Sequence, residues 1–279
     1  MSDSIPVVLT IAGSDSGGGA GIQADLKTFQ AFACFGTTAI TAITCQNTTG
    51  VSGVQAVDPE IVAGQLHDVL IDFPIAAAKT GMLFSAPIIR AIQHTLKQDA
   101  ALSRDTKHIS DKLRLVVDPV MVASSGDRLL QRDAEEALIA FMRECAALIT
   151  PNLPEAEVIL NKSISDVDEA ALELFSLTGA CVLIKGGHRL AERTSANESI
   201  DVFYDGRDIH HISRPVLSGR NTHGTGCTLS AAIAAELARG TEMHAAIESA
   251  RDYLHGAMQH APGLGKGIGP LNHMWRDSI

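Results

Sequence analysis

Along most of this chain, short apolar runs rich in β-formers alternate with stretches of helical periodicity. That alternation constrains the fold more than any other feature. Runs that read as strands are Val7–Ala12, Thr38–Thr44, Ala76–Thr80, Leu115–Asp118, Ala147–Thr150 and Val182–Lys185. Helical patterns cover Ile61–Leu70, Pro87–Leu96, Asp133–Cys145, Glu155–Leu160, Asp168–Thr178, Thr225–Arg239 and Met243–Met258. Strands that are apolar throughout are buried on both faces. The pattern therefore predicts an α/β fold: a mostly parallel central sheet with helices on both faces. Asp201–Tyr204 and Ile209–Ser213, joined across Asp205-Gly206, predict a hairpin that adds an antiparallel edge. Gln98–Lys112 and Ala191–Ser199 are polar and read as surface loops. Neither argues for a second domain, so residues 1–279 read as one.

Charge and composition exclude several classes. The net charge is −10, so no nucleic-acid or anionic-membrane partner is expected. Any phosphate ligand must be held by local donors against that field. No uncharged apolar run approaches the roughly 18 residues of a membrane span. Met1–Pro6 lacks the basic and apolar stretches of a signal peptide. Five cysteines, odd in number and widely spaced, show no metal-ligand spacing and predict reduced thiols in the cytoplasm.

In sheets of this kind ligands bind at the carboxyl ends of the strands. Glycine and polar residues recur just past those ends here. Asn221-Thr222-His223-Gly224-Thr225-Gly226-Cys227-Thr228 leads directly into an alanine-rich helix. Backbone N–H groups of such a turn converge on one point, and the helix dipole adds positive potential. Cys227 stands in that first turn, where the field favours a thiolate; a buried structural cysteine is the bland alternative. In the glycine-rich loop, Gly19-Ala20-Gly21-Ile22-Gln23-Ala24 matches the loose dinucleotide pattern but starts well past the strand, with no acidic residue near Thr44 to hold a ribose. A P-loop is not met, because Lys27-Thr28 follows Leu26, not glycine. The Gly13–Gly21 loop is either a flexible loop or one that wraps a small substrate, with Asp25 offering a carboxylate one turn on. Asn152 and Glu155 fit a capping box, and equally two oxygen ligands for Mg²⁺. Lys185 ends an apolar strand beside Gly186-Gly187 and suits a phosphate. His188 after it is a structural or solvated residue as readily as a catalyst. Gln46 carries both an acceptor and donors, which suits a heterocycle edge. Met82 offers apolar packing for a flat ring.

Taken together, Ala12–Asp25, Asp118-Pro119-Val120-Met121, Thr150–Ala156, Lys185–His188 and Asn221–Thr228 resemble the bacterial hydroxymethylpyrimidine/phosphomethylpyrimidine kinases of thiamine biosynthesis. The resemblance runs from about Val7 to Gly267-Ile268-Gly269-Pro270. It implies a three-layer ribokinase-like fold, ATP, Mg²⁺ and a homodimer. It implies two phosphoryl transfers, to the 5-hydroxymethyl group of 4-amino-5-hydroxymethyl-2-methylpyrimidine and then to the monophosphate. Gln46, Met82, Gly13, Asp25 and Val120 would surround the pyrimidine. Asn152, Glu155 and Asp118 would serve the metal. Lys185, Thr225 and Gly226 would meet ATP. Gly224, Gly226, Cys227 and Lys185 would carry catalysis, with Cys227 where related sugar kinases place an aspartate. Family members often carry lysine within the segment that is here Val122–Asp127; this chain has Ser124. The chain reaches Ile279, so no fused thiamine-phosphate synthase domain is expected. A pyridoxal kinase shares the fold and is the nearest alternative. A non-catalytic nucleotide-binding regulator is the other.

Overall fold

The computed structural model describes residues 5–102, 113–121, 130–186, 198–217 and 219–278. Nine strands form one sheet in the order β3-β2-β1-β4-β5-β6-β7-β8-β9. They are β1 (Val7–Asp15), β2 (Phe35–Asn47), β3 (Gly50–Ala56), β4 (Ile75–Thr80), β5 (Arg114–Val117), β6 (Leu148–Ile149), β7 (Cys181–Ile184), β8 (Glu198–Tyr204) and β9 (Ile209–Pro215). The central strands β2-β1-β4-β5-β6-β7 run parallel. The predicted hairpin closes one side as antiparallel β8 and β9. A second antiparallel edge, β3 on β2, was not expected. Its sequence holds two glycines and mostly exposed residues, so no buried alternation marks it.

Eight α-helices are described: α1 (Gly21–Ala31), α2 (Pro59–Asp72), α3 (Ala86–Leu102), α4 (Glu135–Cys145), α5 (Leu153–Leu160), α6 (Val167–Thr178), α7 (Thr225–Ala238) and α8 (Met243–Gln259). Helices α2 to α6 cover one face through Leu66, Ile89, Phe141, Ile159 and Leu174. Helices α1, α7 and α8 cover the other through Phe29, Ile233 and Ile247. This is the three-layer arrangement that the alternation predicts. Helix α1 has no side-chain cap and begins inside the glycine loop, so no start signal announces it. Residues 98–102 extend α3 and are not loop. The rest of the Gln98–Lys112 stretch, residues 191–197, His188 and Ser124 lie outside the described residues.

The sheet places its loops as expected. Asp118 follows β5, Asn152 follows β6 and Lys185 follows β7, all at the carboxyl edge. A bridge between Asn152 and Lys185 holds two of these loops in register.

Candidate active site

A cleft of about 450 Å³ runs along that edge, a volume suited to small molecules. It is lined by Gly13, Gln46, Met82, Asp118, Val120, Asn152, Glu155, Lys185 and the whole turn from Gly224 to Cys227. Asp25 is the expected site residue that does not line it. Asp25 is fully buried, and its carboxylate accepts from Lys79 Nζ at 3.0 and 3.1 Å and from Thr10 Oγ1 at 2.6 Å. Its side-chain oxygens are committed within the core, so it does not face the cleft.

The turn before α7 depends on glycine. Gly224 is the N-cap, with φ of 84°, and a Cβ there would collide with the carbonyl oxygen of Gly19. The glycine loop therefore lies directly against the helix N-terminus. A Cβ on Gly226 would stand 3.2 Å from Asp118 Oδ2 and 3.4 Å from Lys185 Nζ. The turn thus meets a cation, and no side chain of residues 224 or 226 blocks its amides. Residues 225–227 begin a helix whose first turn carries no acidic residue. The whole corner favours an anion.

Lys185 is not isolated there. Its Nζ lies 2.8 Å from Asp118 Oδ1 and 3.9 Å from Glu155 Oε2. Burial opposes its charge, but Asp118 and Glu155 outweigh burial and hold the ammonium protonated. Burial, reinforced by Asp118, pushes Glu155 up to about 7 despite Lys185. Two carboxylates thus share one ammonium. Asn152 and Glu155 also form the expected capping box: Glu155 N–H donates to Asn152 Oδ1 at 2.9 Å, and Asn152 N–H donates to Glu155 Oε2 at 2.8 Å. Among the described residues no cluster of three or more His, Cys, Asp or Glu forms a closed metal cage. A hard cation that keeps several waters and bridges one or two carboxylates to phosphates needs no such cage. The deficit of positive charge beside Asp118 and Glu155 fits that mode.

The helix field was expected to favour a Cys227 thiolate. Burial overrides it and pushes the thiol up to about 11, although Lys79 and the Gly21 N–H both favour the ionised form. At neutral pH Cys227 is an uncharged thiol.

At the other end of the cleft Met82 closes on Gly13, whose missing side chain its methyl group replaces. Gln46 is oriented by Thr44 Oγ1, which donates to its Oε1 at 3.1 Å. Two residues to which the sequence reading gives no role organise this end. Asp15 accepts the N–H groups of Gly17, Gly19 and Ala20 at 2.8 to 3.1 Å, so one carboxylate shapes the glycine loop. His223 Nε2 lies 2.8 Å from the same carboxylate and 3.5 Å from Gln46 Nε2. Burial opposes the Asp15 charge, but His223 and the loop amides prevail and hold its carboxyl below the usual range. An aspartate two residues before a Gly-Gly-Gly run is a turn signal that could have flagged Asp15. Beyond the anion corner, Asp201 and Arg251 pair at 2.8 Å in the wall of the cleft. Nothing in the sequence joins residues so far apart.

A glycine turn at a helix N-terminus with Lys185 beside it, in one cleft with Gly13, Gln46 and Met82 on a three-layer sheet, fits a phosphotransferase with the ribokinase-like fold. A sequence model described as phosphomethylpyrimidine kinase matches residues 15–272, and the chain belongs to that family. The hydroxymethylpyrimidine/phosphomethylpyrimidine kinase of Rhizobium meliloti is 45% identical, covering 97% of this chain and 99% of its own. The thiamine biosynthesis bifunctional protein ThiED of Geobacter sulfurreducens is 46% identical over 96% of this chain. This chain spans only 52% of that relative's length. Among solved structures, the ADP complex of Bacillus subtilis pyridoxal kinase superposes with a TM-score of 0.84 at 35% identity, covering 99% of this chain and 100% of its own.

Proposed function

We infer that this chain transfers the γ-phosphoryl group of ATP to the hydroxymethyl group of 4-amino-5-hydroxymethyl-2-methylpyrimidine, and then a second one to the resulting monophosphate. One observation carries the reading: a compartment of Gly13, Gln46 and Met82 shares a single cleft with the Gly224–Cys227 turn. In the first step the alcohol oxygen bonds to the γ-phosphorus, the bond to the β,γ-bridging oxygen breaks, ADP leaves and the alcohol loses its proton. Lys185 and the amides of Thr225, Gly226 and Cys227 are placed to offset phosphate charge. Mg²⁺, held through Asp118, Glu155 and Asn152, would supply further neutralisation of the triphosphate. Gln46 orients the ring and Met82 packs on its face.

The two steps differ in what they ask of residue 227. The alcohol gives up a proton, which only the ionised fraction of Cys227 can accept. The monophosphate is already an anion and needs no base. A neutral thiol does not repel it, whereas an aspartate would. Reduced cysteines support a cytoplasmic location: all five are free. The position of β3 at the end of the described sheet, with Ile43 and Val54 exposed, supports a homodimer.

A pyridoxal kinase is the second reading, favoured by the close superposition on the Bacillus subtilis enzyme. Turnover of the aminopyrimidine, its monophosphate and pyridoxal, each followed by ADP release, separates the two. We expect ADP release with both pyrimidines. Turnover of pyridoxal alone would overturn the assignment.

A further inference from the structure

The ring end of the cleft holds a buried pair that the reaction as described does not use. Asp15 ends β1, and His223 stands just before the Gly224 turn. Both are buried, and both line the cleft, as does Gln46. A Cβ on Gly19 would meet His223 Cδ2, so glycine there admits the imidazole against the loop. The His223 backbone is held from another side, where its N–H donates to the carbonyl of Gly269 at 3.1 Å. Gln46 is fastened to the same glycine loop. Its N–H donates to Ser16 Oγ, and Ser16 Oγ donates to its carbonyl, both at 2.8 Å.

The hydrogen bonds among these residues fix where the imidazole carries its proton. An ionised carboxylate only accepts. Asp15 already accepts the N–H groups of Gly17, Gly19 and Ala20, an arrangement that suits the ionised form. His223 Nε2 lies 2.8 Å from Asp15 Oδ2, so it donates there, and the proton is on Nε2 whether the ring is neutral or charged. The same Nε2 lies 3.5 Å from Gln46 Nε2. A protonated Nε2 has no lone pair, so it cannot accept from the amide. Gln46 Oε1 accepts from Thr44 Oγ1, which leaves the amide N–H groups to the cleft. In the opposite tautomer Nε2 would accept one of them and take it from a ligand.

We propose that His223 is a positioning residue for ring recognition: Asp15 keeps its proton on Nε2, and in that state His223 reserves the Gln46 amide for a hydrogen-bond acceptor on the ring edge, such as an unprotonated ring nitrogen. This rests on the reading that Gln46 meets the substrate ring. It gives the pair a task separate from the anion corner, although His223 adjoins Gly224 in the chain.

Two variants and one spectrum test the proposal in the whole chain. His223→Leu removes the donor. Asp15 then has a vacant acceptor, and the Gln46 amide, 3.5 Å from the place of Nε2, can turn to it. His223→Gln puts an amide N–H where the Nε2 donor stood. Calorimetry with the aminopyrimidine and with ATP, each alone, reads the effect. Aminopyrimidine binding should weaken at least about fivefold in His223→Leu, as when a buried group loses its hydrogen-bond partner. It should recover to within about threefold in His223→Gln, and ATP binding should stay within about twofold in both. Equal losses for both ligands would show that residue 223 only shapes the turn before Gly224, and would overturn the proposal. Unchanged aminopyrimidine binding in a folded His223→Leu would overturn it as well. Nitrogen-15 NMR of the histidine side chains at neutral pH, assigned by the signal lost in His223→Gln, should show a proton on Nε2; a bare Nε2 would overturn the proposal too. A chain that binds pyridoxal and not the aminopyrimidine would overturn the substrate reading alone, and the same comparison is then read with pyridoxal.

Discussion

Replacing Lys185 by alanine probes the anion corner from both sides of its charge balance. The ammonium lies 2.8 Å from Asp118 and 3.9 Å from Glu155, with only 16% of the side chain exposed. Its loss removes a charged contact to phosphate, worth about 1.5–3 kcal/mol. It also removes the ammonium that Asp118 and Glu155 share, so less of their charge is offset where they face the triphosphate. One carboxylate against one phosphate charge at about 5 Å costs about 1–3 kcal/mol for an effective dielectric of 80 down to 20. Glu155, already raised to about 7, relieves part of that by taking a proton. The sum is a fall in kcat/KM for ATP of about 10²- to 10⁴-fold. Stability should fall by less than the ~3–5 kcal/mol of a broken fully buried pair, because Glu155 can neutralise itself. Steady-state kinetics with ATP varied, and thermal unfolding in the same buffer, measure the two effects. A kcat/KM within about twofold of the unsubstituted protein would refute the placement of Lys185 at the phosphates.

Other consequences follow from the same geometry. Gln46→Ala should weaken binding of the aminopyrimidine far more than binding of ATP; calorimetry showing equal losses for both would assign Gln46 a structural role instead. Glu155 makes stability pH-dependent in a defined sense. Its folded value of about 7 exceeds its ordinary value of 4.5, so its contribution is fully present below about 4.5 and is lost as pH rises through 7. Melting temperatures of the ligand-free protein between pH 5.5 and 8 should therefore carry a downward component that Glu155→Gln removes. An identical slope in the variant would contradict it.

The strand–helix alternation and the polar residues at strand ends are local patterns, and they were readable. Val7–Ala12, Ala76–Thr80 and Val182–Lys185 mark strands because burial on both faces demands unbroken apolar runs. What escaped was non-local or unmarked. Helix α1 lacks a cap, and β3 lacks a buried face. Lys79 looks like an interruption in an alanine strand; only the approach of α1 supplies Asp25 as its partner. Asp25 itself sits in a motif that the resemblance ties to substrate, yet its neighbours turn it inward. The Cys227 thiol shows the same limit. A helix N-terminus predicts a lowered value, but the burial that reverses it depends on how the glycine loop closes over α7. His223 and Asp15 come together across the whole chain, a pairing that no spacing encodes.

The central claim is that one uncharged residue at position 227 lets a single anion corner serve an alcohol and a phosphate monoester. Kinetics of each transfer, with purified alcohol and purified monophosphate, test it in Cys227→Ala and Cys227→Asp. Both variants keep the backbone amides of the turn. An aspartate facing a doubly charged phosphate at about 5 Å costs about 2–7 kcal/mol. Cys227→Asp should therefore keep or raise transfer to the alcohol and depress transfer to the monophosphate at least tenfold. Cys227→Ala should slow the alcohol step and spare the other. Equal effects on both transfers in both variants would show that Cys227 only packs, and would contradict the account.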